Sequence, residues 1–398
     1  MNIIYIHQYF YTPADAGGTR SYWNCKELIA RGHQVTVIAG SSKIEKDIEE
    51  KIIEGIKVIY IKEAYHQSMS VKARLKSFIG FMRKSIKVAK QQQDIDLVFA
   101  TSTPLTVGIP ALYLKWFKKT PYIFEVRDLW PEVPIQMGAI KNPFLIWATR
   151  KLEKTIYRNA NHVIALSPGM QEGVMHYIPK NKTSMIPNMS KKDEFWEREK
   201  NLELMKEMKL REDSFKVIYF GAMGLANAVH TLVDAANQLK DDNNIEFLFI
   251  GGGSQEAELK ELAVKLQLPN VHFYGEKPLK TVSEVLNFSD VSIVLFEDIP
   301  ILYTNSPNKL FDSLSAGKPI IVNSAGWTKA MVEENNCGLF ANPKIDSDLA
   351  HKIKYIQENQ DLAKEMGINA RKLAETTYDK SILCKEFVDT LEKYAYIK

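Results

Sequence analysis

The residues best suited to chemistry are Lys309 and Asp312, in the segment 306–319, which reads SPNKLFDSLSAGKP. This segment predicts a loop, a short helix ended by Gly317, and then a buried parallel strand over 320–322. In such a helix Lys309 and Asp312 lie three positions apart and share a face. A lysine there suits a phosphate, and a carboxylate one turn later suits the vicinal hydroxyls of a ribose. The spacing indicates a nucleoside diphosphate site, although a helix whose charges face solvent has the same pattern.

Two glycine-containing turns, one in each half of the chain, follow strand-like segments and precede helices. Gly17 and Gly18 precede a helix expected to start near Thr19 or Arg20, and the run 220–224, FGAMG, repeats the arrangement. Backbone N–H groups at a helix start can bind a diphosphate, and Arg20 would add a formal charge. A purely structural turn is the competing interpretation of Gly17 and Gly18.

Polar residues near predicted strand ends are candidates for contacts to a ligand's hydroxyl groups. His7 ends the first predicted strand, and Asp15 lies in the first glycine loop, where it could contact hydroxyls or cap its own loop. Asp128 could contact the ligand or form an ion pair with its neighbour Arg127. We expect no metal, because no Asp-x-Asp motif stands at the end of a predicted strand and because lysines and helix starts can neutralise phosphate.

Length and composition indicate a two-domain enzyme of the cytoplasm. The chain has 398 residues, 45% hydrophobic and 25% charged, and its net charge of +4 gives no reason to expect nucleic acid. Its 3 cysteines form neither a metal pattern nor a disulfide framework, which fits a reducing compartment. The N-terminus has no signal-peptide pattern, and no window has the ~18 apolar residues of a membrane span.

The alternation of β-rich and helical patterns predicts the α/β class, with two doubly wound Rossmann-like domains facing each other across a cleft. The charged, β-poor stretch 191–214 is interpreted as an interdomain linker between domains 1–190 and 215–378. The tail is expected to be helical, with 379–398 packing back on the first domain. Strands are expected at 3–6, 35–39, 58–61, 97–100, 122–126 and 162–166, then at 217–220, 246–250, 271–274, 291–295 and 319–322.

A basic helix is expected at 71–90, with 7 lysines and arginines and no acid. Apolar residues recur between the charges at helical spacing, a pattern typical of a helix that lies on an anionic membrane surface. A helix that packs this stripe on the sheet and exposes a basic face is the equal alternative. The run 143–147, PFLIW, is a second candidate membrane contact.

Several motifs, spread over almost the whole chain, follow one another in the order found in a known protein family. They are IHQYFYTPADAGGTRSYW near the start, FEVRDLWPE in the middle, and HFYGEKP, FSDVSIVLF and SPNKLFDSLSAGKPIIVNS in the second half. Together, over roughly residues 1–380, they resemble the retaining family-4 glycosyltransferases, whose architecture is called GT-B. The resemblance is strongest to bacterial enzymes that transfer N-acetyl-fucosamine-type sugars in surface-polysaccharide assembly. It implies that 1–190 binds the acceptor and that 215–378 binds the nucleotide sugar.

The resemblance also implies roles for individual residues. Asp312 stands where the family's second signature glutamate binds ribose, and Gly275 would open the loop whose backbone contacts the base. The implied donor-binding set is Gly17, Gly18, Arg20, Gly221, Met223, Gly224, Gly275, Lys277, Thr304, Asn305, Ser306, Lys309, Leu310 and Asp312. The expected catalytic residues are Arg127, Lys309 and Asp15, and the expected acceptor-binding residues are His7, Asp15 and Asp128.

The chain departs from the family pattern at several charged positions. Thr304 replaces the first signature acid, Ala222 and Asn227 replace two phosphate-binding cations, and Arg127 replaces a frequent histidine. We expect Lys309, Arg127 and Arg20 to supply the missing positive charge.

The expected activity is retaining, metal-independent transfer of a sugar from a UDP-sugar to a lipid-linked saccharide. The sugar would be an N-acetylated hexosamine or 6-deoxyhexosamine, and the acceptor a polyprenyl-diphosphate-linked saccharide at the inner face of the cytoplasmic membrane. A nucleotide-sugar epimerase of the same architecture is one alternative. A catalytically inactive sugar-nucleotide-binding subunit is the other, because of the substitutions at Thr304, Ala222 and Asn227.

Overall fold

A computed structural model describes residues 1–15, 17–63, 69 and 71–396, and within its helix over 71–91 the side chains of Val71, Lys72 and Arg74 lie outside the described part. Its first sheet has eight strands in the order β3-β4-β2-β1-β5-β6-β7-β8, all parallel except the edge strand β3. These strands are β1 Asn2–Ile6, β2 Gln34–Ser41, β3 Ile48–Ile53, β4 Ile56–Lys62, β5 Leu97–Thr101, β6 Tyr122–Val126, β7 His162–Ala165 and β8 Thr183–Met185.

A second sheet of six parallel strands follows, in the order β11-β10-β9-β12-β13-β14. Its strands are β9 Phe215–Phe220, β10 Ile245–Ile250, β11 Val271–Phe273, β12 Val291–Val294, β13 Ile320–Val322 and β14 Gly338–Phe340. Apart from the exposed edge strand β3, most residues in the strands of both sheets are apolar and buried, as expected for parallel sheets covered by helices on both faces. The predicted fold class is confirmed.

Helices connect the strands and cover the sheets. In the first half they are α1 Arg20–Ala30, α2 Val71–Gln91, α3 Gly108–Lys118, α4 Glu132–Gln136, α5 Pro143–Asn159 and α6 Pro168–Met175. The later ones are α7 Leu202–Glu207, α8 His230–Gln238, α9 Glu256–Lys265, α10 Leu279–Phe288, α11 Asn308–Ser315, α12 Trp327–Glu334, α13 Asp348–Glu358, α14 Gln360–Thr376 and α15 Lys380–Ala395. Short 3₁₀ turns lie at Leu105–Val107, Lys180–Lys182, Leu225–Asn227 and Pro300–Thr304. None of the described helices is both long and apolar enough to cross a membrane.

The two halves contact each other through the 3₁₀ turn at Pro300–Thr304. Ile301 and Leu302 are buried in one apolar cluster with Leu129 and Met170 of the first half. A Cβ placed on Gly169, at the start of α6, would lie 2.8 Å from the side chain of Thr304, so a larger residue there would separate the two surfaces. This contact holds the first and second sheets together beside the cleft.

The last helix returns to the first half of the chain. Phe387 of α15 is fully buried, and its ring lies 4.9 Å from Phe99 and 6.5 Å from Tyr5, on neighbouring strands of the first sheet. The backbone enters this helix through a bridge between Ser190 and Asp379. The domain boundaries drawn from the sequence stay predictions, and residues 397 and 398 lie outside the described part.

Three strands escaped the sequence prediction, and the linker contains a helix that the prediction lacked. Strand β3 has the sequence IEEKII at an exposed edge, and β8 and β14 have only three residues each, so none carries an apolar run. The interpreted linker holds the short helix α7. The predicted helical tail is three helices separated by breaks at Asn359 and at 377–379.

Candidate active site

Helix α11, which carries Lys309 and Asp312, begins directly opposite the first glycine loop. A Cβ placed on Gly18 would lie 2.7 Å from Nδ2 of Asn308, the first residue of α11, and 3.6 Å from Nη2 of Arg127. The missing side chain at Gly18 therefore lets three chain segments from both halves meet. The predicted partners Gly18, Arg127 and the start of α11 are brought together.

The ammonium group of Lys309 is the most distinctive feature of this meeting point. Its nitrogen is buried and has no hydrogen-bond partner among the described residues, and it lies 3.9 Å from the ring centroid of Tyr219. A Cβ on Gly221 would be 3.4 Å from this nitrogen, so the second glycine turn faces the ammonium directly. Burial lowers the pKa of Lys309 to about 7. A buried cation whose charge no nearby anion compensates marks a place where an anionic ligand would be stabilised.

Asp312, on the same helix as Lys309, already has a partner within the protein. Its carboxylate forms an ion pair with Lys191 at 3.0 Å, and both side chains are less than a tenth exposed. Burial raises the pKa of Asp312, and the ammonium of Lys191 opposes that rise. The interpretation of α11 as a helix with two solvent-facing charges is therefore wrong, since both charged groups are buried.

Arg127 is held by a buried hydrogen-bond network on the first half. Its Nη1 lies 3.1 Å from Nε2 of His7, and Nδ1 of His7 lies 2.9 Å from the hydroxyl of Ser21. An arginine only donates, so Nε2 of His7 accepts and Nδ1 carries the proton. Burial, followed by the charge of Arg127, lowers the pKa of His7, which keeps the imidazole neutral. The tyrosine hydroxyl of Tyr5 completes the network by donating to Ser21. His7 therefore positions Arg127, and nothing in this geometry brings it to an acceptor.

Arg20 does not face the cleft, which corrects its predicted role in diphosphate binding. Its guanidinium is 1% exposed, forms an ion pair with the buried Glu125 at 2.9 Å, and donates to the carbonyls of Ile186 and Pro187. Glu125 also accepts a 2.6 Å hydrogen bond from Thr101. Arg20 is the first residue of α1, and its guanidinium reaches Glu125 on β6 and the backbone after β8. There it compensates the charge of the buried carboxylate, so it is not available to a ligand.

The second glycine turn offers less to a phosphate than its sequence predicts. The N–H of Gly221 donates to Ile250, that of Met223 to Gly252, and that of Gly224 to the side chain of Asn227 at 3.4 Å. Met223 is fully buried in the apolar core of the second half. Gly221 thus contributes by leaving space for Lys309, whereas Met223 and Gly224 hold the turn together.

Leu310 is a core residue as well. It is fully buried in the apolar cluster that joins the two halves, whereas the ammonium of its neighbour Lys309 faces the second glycine turn. Its predicted donor contact is therefore not made by its side chain.

The predicted acids of the first half, Asp15 and Asp128, have separate partners. Asp15 accepts hydrogen bonds from the backbone and hydroxyl of Thr12 at 3.0 and 2.8 Å, so it caps its own loop. Asp128 faces the hydroxyl of Thr103 at 3.4 Å, and burial raises its pKa to about 6. Among the described ion pairs none joins Asp128 to Arg127, whose guanidinium donates to His7, but the charge of Arg127 opposes the rise in the pKa of Asp128. The predicted pair is therefore an interaction at a distance and not a direct contact.

Residues 304–306 connect the halves. The carbonyl of Thr304 accepts from Ser167, and that of Ser306 accepts a 2.5 Å hydrogen bond from Asn188, both on the first half. The hydroxyl of Thr304 donates to the carbonyl of Ile301 at 2.8 Å. The position of the family's first signature acid thus has a hydroxyl already used within its own turn.

Four further predicted donor residues are Asn305, Gly275, Lys277 and Gly17. Asn305 presents its carbonyl to the indole of Trp327 at 2.7 Å, while Gly275 has a φ of +65° and open space beside its Cα. Lys277, two positions on, is exposed to solvent. Gly17 packs beneath the ring of Tyr11, where a Cβ would lie 2.4 Å from that ring.

Sequence reasoning missed several residues of the site. Asn308 lies inside the motif that was singled out, so its place at the helix start was available as a signal. Lys191 carried none, because it lies in a charged stretch that looked like solvated linker. Among the described residues no group of three or more histidine, cysteine or acidic side chains is arranged to hold a metal ion.

Solved structures share this arrangement of two facing sheets. Sucrose-phosphate synthase from Thermosynechococcus elongatus superimposes with a TM-score of 0.79 at 18% identity, over 99% of each chain. Anabaena HepE, solved in complex with UDP and glucose, superimposes with a TM-score of 0.74 at 18% identity, over 98% of this chain and 99% of that one. The fold is that of the GT-B glycosyltransferases.

Two family models match consecutive parts of the chain. Glycosyltransferase Family 4 matches residues 20–189, and Glycosyl transferases group 1 matches residues 200–373. The chain therefore belongs to the glycosyltransferases that combine these two domains, Glycosyltransferase Family 4 followed by Glycosyl transferases group 1. A relative from Campylobacter jejuni, N,N'-diacetylbacillosaminyl-diphospho-undecaprenol alpha-1,3-N-acetylgalactosaminyltransferase, is 23% identical over 387 residues, which are 92% of this chain and 93% of the relative.

Proposed function

We propose that this glycosyltransferase moves an N-acetylated hexosamine or 6-deoxyhexosamine, with retention, from a UDP-sugar to a polyprenyl-diphosphate-linked saccharide. The name of the Campylobacter relative describes transfer of an N-acetylated sugar to a saccharide on undecaprenyl diphosphate. The structural relative from Anabaena was solved with UDP and glucose. These two names supply the substrate classes, and the chemistry of the site is compatible with both.

The observation that carries the proposal is the buried, unpartnered ammonium of Lys309. It faces Gly221 on one side of the cleft, and Gly18 and Arg127 lie at the start of the same helix. A diphosphate between these groups would satisfy the ammonium and would meet a guanidinium fixed by His7. Asp312 and Lys191 would hold the ribose hydroxyls and fix the nucleoside relative to α11.

The proposed reaction depends on stabilising the leaving group. Breakage of the bond between the anomeric carbon and the phosphate oxygen leaves negative charge on the diphosphate, which Lys309 and Arg127 would stabilise. The acceptor hydroxyl attacks the anomeric carbon from the leaving-group side and passes its proton to the departing phosphate oxygen. Such a reaction retains configuration without a protein nucleophile, unlike the paired carboxylates of retaining glycosidases.

Exchange of one lysine tests the donor site. Lys309→Met keeps the length of the side chain and removes the charge, so the affinity for UDP is expected to fall at least about tenfold in calorimetry. Lys318→Met is the matched control, since Lys318 is also desolvated but donates to the carbonyl of Asn287 at 2.6 Å. Unchanged UDP affinity in Lys309→Met would remove the basis of the proposal.

Turnover without added metal separates the remaining alternatives. The proposed enzyme hydrolyses its donor slowly in the absence of acceptor and keeps this activity in a chelator. Loss of the activity in the chelator with recovery in manganese would refute metal independence. Interconversion of the donor's sugar instead of its release would indicate an epimerase, and donor binding without turnover would indicate an inactive subunit.

The proposal also includes a contact between the membrane surface and helices α2, α3 and α5. On α2, Phe81, Val88 and Ala89 form the buried side, whereas Leu75 and Ile79 are 44% and 41% exposed. Exposed basic residues on this helix and large exposed residues on α3 and α5 extend the surface: Lys76, Arg83, Lys87, Lys90, Trp116, Phe117, Phe144 and Trp147. Apolar side chains among cations suit the anionic inner face of the cytoplasmic membrane.

Vesicle flotation measures this contact. The protein is expected to float with vesicles that contain anionic lipid and to stay in solution with neutral ones. The double variant Leu75→Asp/Ile79→Asp should lose flotation, whereas Val264→Asp/Ile368→Asp, on exposed apolar residues of the second half, should keep it. Equal recovery of all three proteins would contradict the contact.

A further inference from the structure

The edge strand β3 of the first sheet has an open outer side. Within the described part of the chain β3 ends the sheet and pairs only with β4, in an antiparallel hairpin. The N–H of Lys62 donates to the carbonyl of Asp47 at 2.9 Å, and in an antiparallel pair every second residue faces the partner strand in this way. The backbone groups of Ile48, Glu50 and Ile52 therefore face outward, where another strand can pair with them.

The side chains of this edge include two large apolar residues that face solvent. Ile48 and Ile52 are 37% and 71% exposed. Natural edge strands usually carry charges that keep other strands away, and β3 also has Glu49, Glu50 and Lys51. Exposed isoleucines add nothing to such protection, so the edge suits a partner that matches both its apolar and its charged residues.

A second copy of β3 matches this edge in one antiparallel register. When Glu50 lies opposite Glu50 of the other copy, the outward backbone groups of the two strands meet. Each Ile48 then lies opposite Ile52 of the other copy, and each Glu49 lies opposite Lys51, so two apolar pairs and two ion pairs form. A slip of two residues in either direction places an isoleucine opposite Glu50 and loses both apolar pairs.

The charges of the hairpin compensate the one like-charge pair of this register. The two Glu50 carboxylates lie opposite each other, but each forms an ion pair at 3.2 Å with Lys57 of its own β4. On the other face of the strand, Lys51 is 3.0 Å from Glu49 of its own chain, so the four charges of the two copies alternate in sign. A strand with a different charge pattern lacks this match, and the edge therefore selects a second copy of the chain.

We propose that two copies of the chain pair through β3, antiparallel and centred on Glu50, and join their eight-stranded sheets into one continuous sheet. The contact has six residues from each copy, fewer than the about 20–30 a side of a stable interface, so the dimer dissociates on dilution.

This pairing sets the orientation of the two copies. The two-fold axis of an antiparallel pair is perpendicular to the sheet, so each face of one sheet continues into the same face of the other. Glu50 lies opposite Ile59 of β4, which is buried in one cluster with Phe81 of α2, so both α2 helices lie on one side of the joined sheet. Two α2 surfaces on one side would strengthen the proposed membrane contact, and only this consequence rests on the proposed function.

Disulfide cross-linking tests the register. In Glu50→Cys the two thiols lie opposite each other, with a Cα separation of about 5.5 Å that suits a disulfide. Lys51→Cys is the matched control, because its two thiols lie on a diagonal about 7–8 Å apart, and the native cysteines are buried. At high protein concentration and under mild oxidation, Glu50→Cys should form at least about tenfold more covalent dimer than Lys51→Cys.

Sedimentation of the chain without introduced cysteines is the second measurement, since Glu50→Cys also removes the like-charge pair. The wild type is expected to form dimers that dissociate on dilution. Ile48→Asp/Ile52→Asp should stay monomeric, because it places aspartates opposite each other, and its melting temperature should stay close to that of the wild type. Val264→Asp/Ile368→Asp, on exposed apolar residues of the second half, should dimerise as the wild type does.

Three results would overturn the inference. The first is equal cross-linking of Glu50→Cys and Lys51→Cys, which indicates random collision. The second is a wild type that stays monomeric at every concentration, and the third is a dimer that persists in Ile48→Asp/Ile52→Asp. If the last variant loses vesicle flotation while its association is unchanged, the edge is a membrane contact instead. UDP affinity of the wild type is a separate readout, because its absence would refute the proposed function and leave the dimer unaffected.

Discussion

At the scale of single residues, the protonation state of Lys309 would decide how tightly the proposed donor site binds a diphosphate. The lysine lies against an aromatic ring and a glycine turn with no compensating anion within the described residues, which lowers its pKa to about 7. A bound diphosphate would stabilise the charged form and raise that pKa again. Donor binding and proton uptake are therefore expected to be coupled.

This coupling predicts a pH dependence of UDP affinity. Below pH 7 the free protein already carries the proton, and above it binding must take the proton up, so affinity falls as the pH rises. Between pH 7.5 and 9.5, where burial keeps Tyr219 neutral by raising its pKa, calorimetry should show a loss approaching about tenfold per pH unit. Lys309→Met should show a weak affinity that stays flat over this range. A flat profile in the wild type would contradict the coupling.

At the scale of elements, the start of α1 is fastened to the first sheet by Arg20. The pair with Glu125 is fully buried, and two backbone carbonyls after β8 complete the hydrogen bonds of the guanidinium. A buried charge in such a network is strongly coupled to the fold, because removal of one member leaves the other without compensation.

Arg20→Met is therefore expected to affect stability before ligand binding. The free energy of unfolding should fall by about 3–5 kcal/mol in chemical denaturation, because Glu125 is left buried and unpaired. Lys57→Met is the control: its pair with Glu50 is exposed, and its loss should cost less than about 1 kcal/mol. The folded fraction of Arg20→Met should bind UDP with nearly normal affinity. If Arg20→Met had normal stability but had lost UDP affinity, Arg20 would be shown to act in donor binding and not in stability.

At the scale of the whole molecule, the chain crosses twice between its halves. The segment from Ser190 to Lys191 contacts α11, and the return into α15 places the last helix on the first sheet. The pair of Lys191 and Asp312 lies at the first crossing, so a nucleoside held by Asp312 would lie against the segment that connects the halves. If Asp312 binds the donor as proposed, donor binding would be linked to the relative position of the halves through this pair.

The packing of the last helix gives a prediction for the molecule. Phe387→Ala should lower the free energy of unfolding by about 3–5 kcal/mol, because a fully buried ring between Tyr5 and Phe99 is lost and a cavity remains. Ile382→Ala, on the exposed side of the same helix, should cost less than about 1 kcal/mol. Equal effects of the two variants would show that α15 contributes little to the first half.

The local pattern of the sequence determined the fold class, eleven of the strands and the short helix with Lys309 and Asp312. These features depend on neighbours within a few positions, through periodicity, β-propensity and the effects of glycine and proline. Strand β3 escaped because an exposed edge strand needs no apolar alternation, and its pairing with β4 comes from the hairpin. The resemblance of the motifs to a known family, confirmed by the comparisons, supplied the class of enzyme.

Only the tertiary structure decided which charge neutralises which. Arg20, Arg127 and Lys309 are equally cationic in the sequence. In the structure Arg20 pairs with Glu125, Arg127 donates to a neutral histidine, and Lys309 has neither a hydrogen-bond nor an ion-pair partner among the described residues. Asp312 likewise pairs with Lys191. Such pairings depend on distances between segments far apart in the chain and on burial, neither of which local sequence contains. Lys309, whose buried ammonium has no hydrogen-bond partner among the described residues, is the group that points to an anionic ligand.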